Sequence, residues 1–183
     1  AKEDDARGYE AELKGAAYAV SNVRKREVRQ RPTAPFTTST LQQEAWRKLR
    51  YGARKTMSVA QQLYEGVTLG NEGSVGLITY MRTDSTNVAE SAVQEARAHI
   101  KTNFGSKYLP AKPRTYVRKV RGAQEAHEAI RPTSAMRTPD RLRAFLNSEQ
   151  IRLYDLIWKR FVASQMADAE VDRTTVDIHA NAK

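Results

Sequence analysis

The sequence predicts a mainly α-helical fold with β-structure at both ends, in which a helical domain is inserted into part of a β-rich one. Apolar residues recur at helical spacing between residues 41 and 166, in segments that begin and end at capping residues. Residues 16–31 and 171–180 instead alternate, the period of a strand. Pro32 and Pro35 punctuate the first change of pattern. The expected division is therefore a flanking β part, 1–31 with 167–183, around a helical domain, 32–166.

In chain order, residues 7–14 read as the tail of a helix ending at Gly15. In the first strand Tyr18 and Val20 share a face, Val23 falls out of phase and Val28 returns to it. Its second half is strongly basic, a common protection of exposed strand edges. Thr40 and Gln43 fit a capping box ahead of a helix over 41–50 with Leu41, Ala45, Trp46 and Leu49 on one face. A turn at 51–53 leads to a second helix, 55–65, with a stripe of Met57, Ala60, Gln61 and Tyr64. Helix, glycine-containing turn and helix give the outline of a helix-turn-helix. Gly66 ends this helix, 71–74 form a turn, and 77–80 read as a short strand.

Asn87 with Glu90 at N3 suits the start of a helix running to about Phe104, with Ala92, Val93, Ala96 and Ile100 inward and His99 at the surface or its boundary. Residues 108–121 are loop-like. Thr138-Pro139 starts a short helix through Leu146. Ser148 starts the strongest core helix, which runs to about Met166. Residues 171–180 form the closing strand, with Thr174, Val176 and Ile178 on one face.

The 183 residues, 40% of them hydrophobic, suffice for one core with a smaller appendage. Against 21 Asp and Glu stand 31 Lys and Arg, a net charge of +10 that favours a polyanionic partner, nucleic acid ahead of an anionic membrane surface. No apolar run reaches bilayer length and the N-terminus has no signal-peptide pattern, so a soluble intracellular protein is expected. The absence of cysteine excludes disulfides and thiolate metal sites, and the three histidines argue against structural zinc. No Gly-rich Lys-Ser/Thr loop suggests ATP binding.

Two stretches ask for chemistry. In residues 76–86 a tyrosine ends an apolar run, followed two residues later by an arginine and flanked by Thr79, Thr83, Asp84 and Ser85. A phenol is protonated at neutral pH, so Tyr80 attacks phosphorus only if its proton is drawn off and the phosphate charge is stabilised. The planar fork of Arg82 suits the second task. The competing reading is an ordinary half-buried strand aromatic. In residues 124–134, His127 stands between glutamates, where it could bond a phosphate or move a proton, or simply lie in a polar turn. Arg114, Arg118 and Lys119 interleave with Tyr116, a pattern suited to phosphate contacts with base stacking and equally to a solvated charged loop.

Four blocks, FTTSTLQQEA (36–45), GLITYMRTDST (76–86), AQEAHEAIRPTS (123–134) and RFVASQM (160–166), resemble type IA DNA topoisomerases in order and spacing. Met81 places the likeness with the bacterial branch, which carries Tyr-Met-Arg. The resemblance implies that Tyr80 is the nucleophile that cuts one strand and holds its 5′ end as a phosphotyrosine, so that religation needs no ATP. It implies that Arg82 holds the scissile phosphate and His127 contacts phosphate nearby, with Thr79, Thr83 and Asp84 around them. Residues 1–31 and 167–183 would belong to a β-rich arch that swings to pass a strand. Mg²⁺ would be bound by acidic residues of a separate Toprim domain not contained in this chain, leaving the chain alone inactive. DNA, chiefly single-stranded, and the remaining domains of the same polypeptide would be its partners, in the cytoplasm at the nucleoid. A non-catalytic helix-turn-helix DNA-binding module and a protein-interaction domain are the alternatives.

Overall fold

The alternating stretches at the two ends of the sequence pair with each other. The computed structural model describes residues 2–116 and 127–181. In it β1 (Ala17–Gln30) and β4 (Ala169–Asn181) form an antiparallel two-stranded ribbon, from Ala17↔Asn181 to Gln30↔Ala169. The register shifts between Val20 and Asn22. Ser21 and Asn22 both bond Asp177, through its carbonyl and its carboxylate respectively. One extra residue moves all that follow to the other face. Val23, opposite Val176, therefore joins Tyr18 and Val20, while Val28, opposite Val171, lies on the reverse face. Strict alternation predicts the opposite for both valines. The helix α1 (Glu3–Lys14) precedes the ribbon, starting earlier than expected and capped by Gly15, with Glu3, Asp4 and Asp5 complementing its N-terminal dipole. Residues 1–30 and 169–183 together form one compact unit, and residues 31–168 form another.

The second unit is built on α6 (Ser148–Ser164), which packs against α2 (Thr38–Leu49), α3 (Ala53–Glu65), α4 (Glu90–Asn103) and the short α5 (Pro139–Leu142). Its buried residues, among them Leu153, Tyr154, Ile157, Trp158 and Phe161, recur every three or four positions and give it an apolar stripe. The α6 cap is Asn147, in a reciprocal box with Gln150. The fold is mainly helical with flanking β, as the sequence pattern predicts.

Several local expectations are corrected. The cap of α2 is Thr37, boxed with Thr40, three residues before the expected one, because Thr38 is drawn into tertiary hydrogen bonds. Leu41 and Ala45 are buried, but Trp46 is exposed and Arg50 lies 5.8 Å over its ring. The buried face of α3 is Thr56, Val59, Ala60 and Leu63, which leaves Met57 and Tyr64 at its margin. Helix α4 starts after Ala89 rather than Asn87, whose N–H bonds Ser85 Oγ; the Ala89 N–H is taken by the Glu128 carboxylate at 2.6 Å. The run 66–75 forms a small excursion, β2 (Val67–Thr68) paired with β3 (Ser74–Val75).

His99 is the clearest reversal. Its ring is buried, edge-to-face on Trp158 at 5.3 Å and beside Phe104 at 6.1 Å. Sequence spacing puts it at the surface or boundary of α4, yet the large Trp158 of α6 packs against it. Burial pushes its pKa below the ordinary histidine value, Glu95 opposing this and Arg141 reinforcing it. The folded state therefore binds this proton less readily than the unfolded chain. His99 thus contributes stability in full above about pH 6.5, and that stability is lost as pH falls through the lowered folded value. Substituting His99→Leu should flatten the dependence of the urea midpoint on pH between about 5 and 7. An unchanged slope would count against this assignment.

Candidate active site

Residues 76–83 form neither helix nor regular strand, bending at Thr79 and again at Met81 and Arg82, and are held by three sets of partners. The Leu77 N–H donates to Leu63 O at the end of α3 at 2.7 Å. Residues 129–133 bond it as well: Thr79 N–H to Arg131 O and Thr133 N–H to Leu77 O, each 2.9 Å. Ile78 and Pro132 form a single β-bridge rather than the expected strand. Pro132 has no N–H with which to continue a ladder. The Thr79 hydroxyl adds a side-chain rung, donating to Ala129 O at 2.6 Å and accepting from the Arg131 N–H at 2.9 Å. The third hold is Thr38, the first residue of α2. Its Oγ1 accepts from the Thr83 N–H at 2.8 Å and donates to Met81 O at 2.8 Å, while its own N–H bonds Thr83 O at 2.9 Å.

Within this frame exposure alternates. Met81 and Thr83 are buried, whereas Tyr80, Arg82 and Asp84 are exposed. Anchoring Met81 and Thr83 in the core leaves Tyr80 and Arg82, the neighbours of Met81 in the chain, exposed to solvent. Arg114 and Arg131 are ion-paired with Asp168 and Glu128, whereas Arg82 meets no carboxylate among the described residues. The resulting element is a phenol, 48% exposed, two positions before an exposed guanidinium that pairs with no carboxylate among the described residues.

The remaining expected site residues separate into groups. Thr79 and Thr83 have their hydroxyls committed inside the protein, Thr83 Oγ1 accepting from the Ser85 N–H at 3.0 Å, so in this arrangement they fix the backbone. His127 is exposed at the end of the stretch that pairs with 77–79. It lines an open groove of ≈ 580 Å³ with Thr86, Asn87, Arg114 and Tyr116. Arg114 is spent internally: its Nε donates to Met166 O at 2.6 Å and its guanidinium pairs with Asp168. Tyr116, expected as a stacking platform, lies with its hydroxyl against the carbonyls of Ser164 (2.8 Å) and Pro32 (3.0 Å), and Arg31 covers its ring. Arg118 and Lys119 lie outside the described residues. Among those described, no cluster of three or more His, Asp or Glu could hold a metal ion, and no helix is long and apolar enough to cross a membrane.

Thr38 was not singled out from the sequence, because a threonine in a hydroxyl-rich helix start looks like a cap. Tyr64 was read only as part of an α3 stripe. Its ring sits 5.4 Å from that of Tyr80, edge-on at 64°.

The model of the DNA topoisomerase family matches residues 1–183. The chain belongs to the bacterial type IA DNA topoisomerase family. It is 55% identical over 161 residues to DNA topoisomerase 1 of two Xylella fastidiosa strains, Temecula1 and 9a5c. That alignment covers 88% of this chain and 20% of each relative, so the chain spans about a fifth of their length. The structure of full-length topoisomerase I from Thermotoga maritima is similar over 98% of this chain and 30% of that one, with 38% identity and a TM-score of 0.73.

Replacing Thr38 with valine leaves the Thr83 N–H without its acceptor, which should cost about 1–3 kcal/mol in urea unfolding. The variant Thr38→Ser keeps the hydroxyl and should recover most of that loss.

Proposed function

We propose that this chain is the nucleophile-bearing part of an enzyme that changes DNA topology by transient single-strand cleavage. The observation that carries the reading is that Tyr80 and Arg82, the two chain neighbours of the buried Met81, are both exposed. Family membership supports it. Tyr80 Oη attacks a backbone phosphorus, forming a phosphotyrosine on the 5′ side. The bond from phosphorus to the 3′ oxygen breaks, and that oxygen takes up a proton from solvent, balancing the one lost by the phenol. The phenolic proton passes to a base outside this chain. Arg82 donates to the phosphate oxygens as their charge grows. The ester keeps the bond energy, so the reverse attack by the 3′ hydroxyl reseals the strand without ATP, after strand passage has relaxed negative supercoils.

His127 is assigned a phosphate contact near the cleavage point, and Asp84 a place at the rim of the site. The ribbon of β1 and β4 is assigned to the arch, and residues 32–166 to the tyrosine domain. The Mg²⁺ implied by the family is assigned to acidic residues of a Toprim domain elsewhere in the polypeptide. The described residues do not fit a metal, and no step here runs through one. The DNA partner is proposed to be chiefly single-stranded and the setting the cytoplasmic nucleoid, consistent with the net charge of +10.

In the whole protein, Tyr80→Phe should abolish the covalent DNA adduct while leaving DNA binding in place. Arg82→Ala should slow cleavage by about 10²-fold or more. Undiminished relaxation by Tyr80→Phe would end the catalytic reading and leave a helix-turn-helix binding module. The isolated chain should bind single-stranded oligonucleotides with an affinity that falls linearly on a log–log plot against salt, and should not relax supercoiled plasmid.

A further inference from the structure

We infer that Tyr64 is a positioning residue for the Tyr80 nucleophile, its ring setting the rotamer from which the phenol attacks. The inference rests on the reading of Tyr80 as nucleophile given above. A half-exposed tyrosine ring is otherwise free to leave its rotamer well, whereas in-line attack on phosphorus needs the oxygen in one place. The Tyr64 ring meets that of Tyr80 at 5.4 Å and 64°, the edge-to-face arrangement in which a ring edge faces a π cloud. Such a pair favours one arrangement by about two- to tenfold.

The backbone keeps the two rings in register. Leu63, adjacent to Tyr64, is fully buried, and its carbonyl accepts the Leu77 N–H at 2.7 Å. At Gly76 a Cβ would lie 2.7 Å from Tyr64 O, so the chain passes against the last turn of α3 at a distance only glycine permits. The β2–β3 excursion thus leaves α3 and returns to the same turn, delivering Tyr80 beside Tyr64. The two rings are 40% and 48% exposed, so their contact adds little to the core, and losing it leaves Leu63 and Leu77 in place.

The test is single-turnover cleavage of a single-stranded oligonucleotide by the whole protein, at saturating and subsaturating DNA. Both Tyr64→Ala and Tyr64→Leu should lower the cleavage rate constant at saturation by about three- to tenfold. DNA affinity and Tm should stay near wild type, and Tyr64→Phe, which keeps the ring, should cleave as wild type does. Three results would overturn the inference: wild-type cleavage by Tyr64→Ala, a Tyr64→Phe as slow as Tyr64→Ala, or a loss confined to affinity, which marks a base-stacking role instead. Run alongside, Tyr80→Phe separates the two levels. An adduct that survives Tyr80→Phe removes the nucleophile assignment itself, whereas an adduct lost in Tyr80→Phe and unaffected in Tyr64→Ala removes only the role of Tyr64.

Discussion

The segment 77–83 lies between elements that are far apart in sequence, and its backbone hydrogen bonds are shared among all of them. Leu63 O at the end of α3, the 129–133 stretch and the Thr38 hydroxyl each take part. None of these bonds belongs to a regular sheet or helix, so the segment keeps its shape only while the helices that supply the partners are packed. Buried N–H and C=O groups must find partners, and here satisfying them also fixes which residues face outward. The core built on α6 therefore bears directly on the geometry of Tyr80 and Arg82.

The electrostatics follow the same division of labour. Among the arginines of the helical unit, Arg114 and Arg131 are held against carboxylates and carbonyls, with side chains only 14% and 10% exposed. A guanidinium in that state fastens loops together. Glu128 serves two partners, pairing with Arg131 and accepting from the Ala89 N–H where α4 begins, a favourable place for negative charge. Arg82 is left exposed on the same segment as Tyr80, with no carboxylate partner among the described residues.

The candidate site was picked out from the sequence as residue types at a spacing, a tyrosine, an arginine two residues on and a histidine between glutamates, and the structure shows all three exposed. The helices were legible too, since amphipathic periodicity and glycine stops are local signals. Tertiary contacts decided their starts: α2 begins behind a Thr37 cap, three residues before the expected Thr40, with Thr38 bonded to the 81–83 segment, and Glu128 took the N–H that would have suited a cap at Asn87. The fate of Arg114 was hidden for a similar reason, since no local pattern announces that a basic loop residue will meet Met166 and Asp168 at the end of α6. His99 and Trp46 were misplaced because a helical wheel gives angles but not neighbours.

By itself the sequence determined the helical middle between alternating ends, the basic charge, and the pairing of Tyr80 with Arg82 on one short run. These depend on composition and on contacts between residues close in the chain. The tertiary structure alone decided that Met81 and Thr83 would be buried, that Ser21 would shift the ribbon's register, and that Tyr64 would stand edge-on to Tyr80. Each of these depends on which distant backbone group or ring arrives opposite, and periodicity carries no information about that.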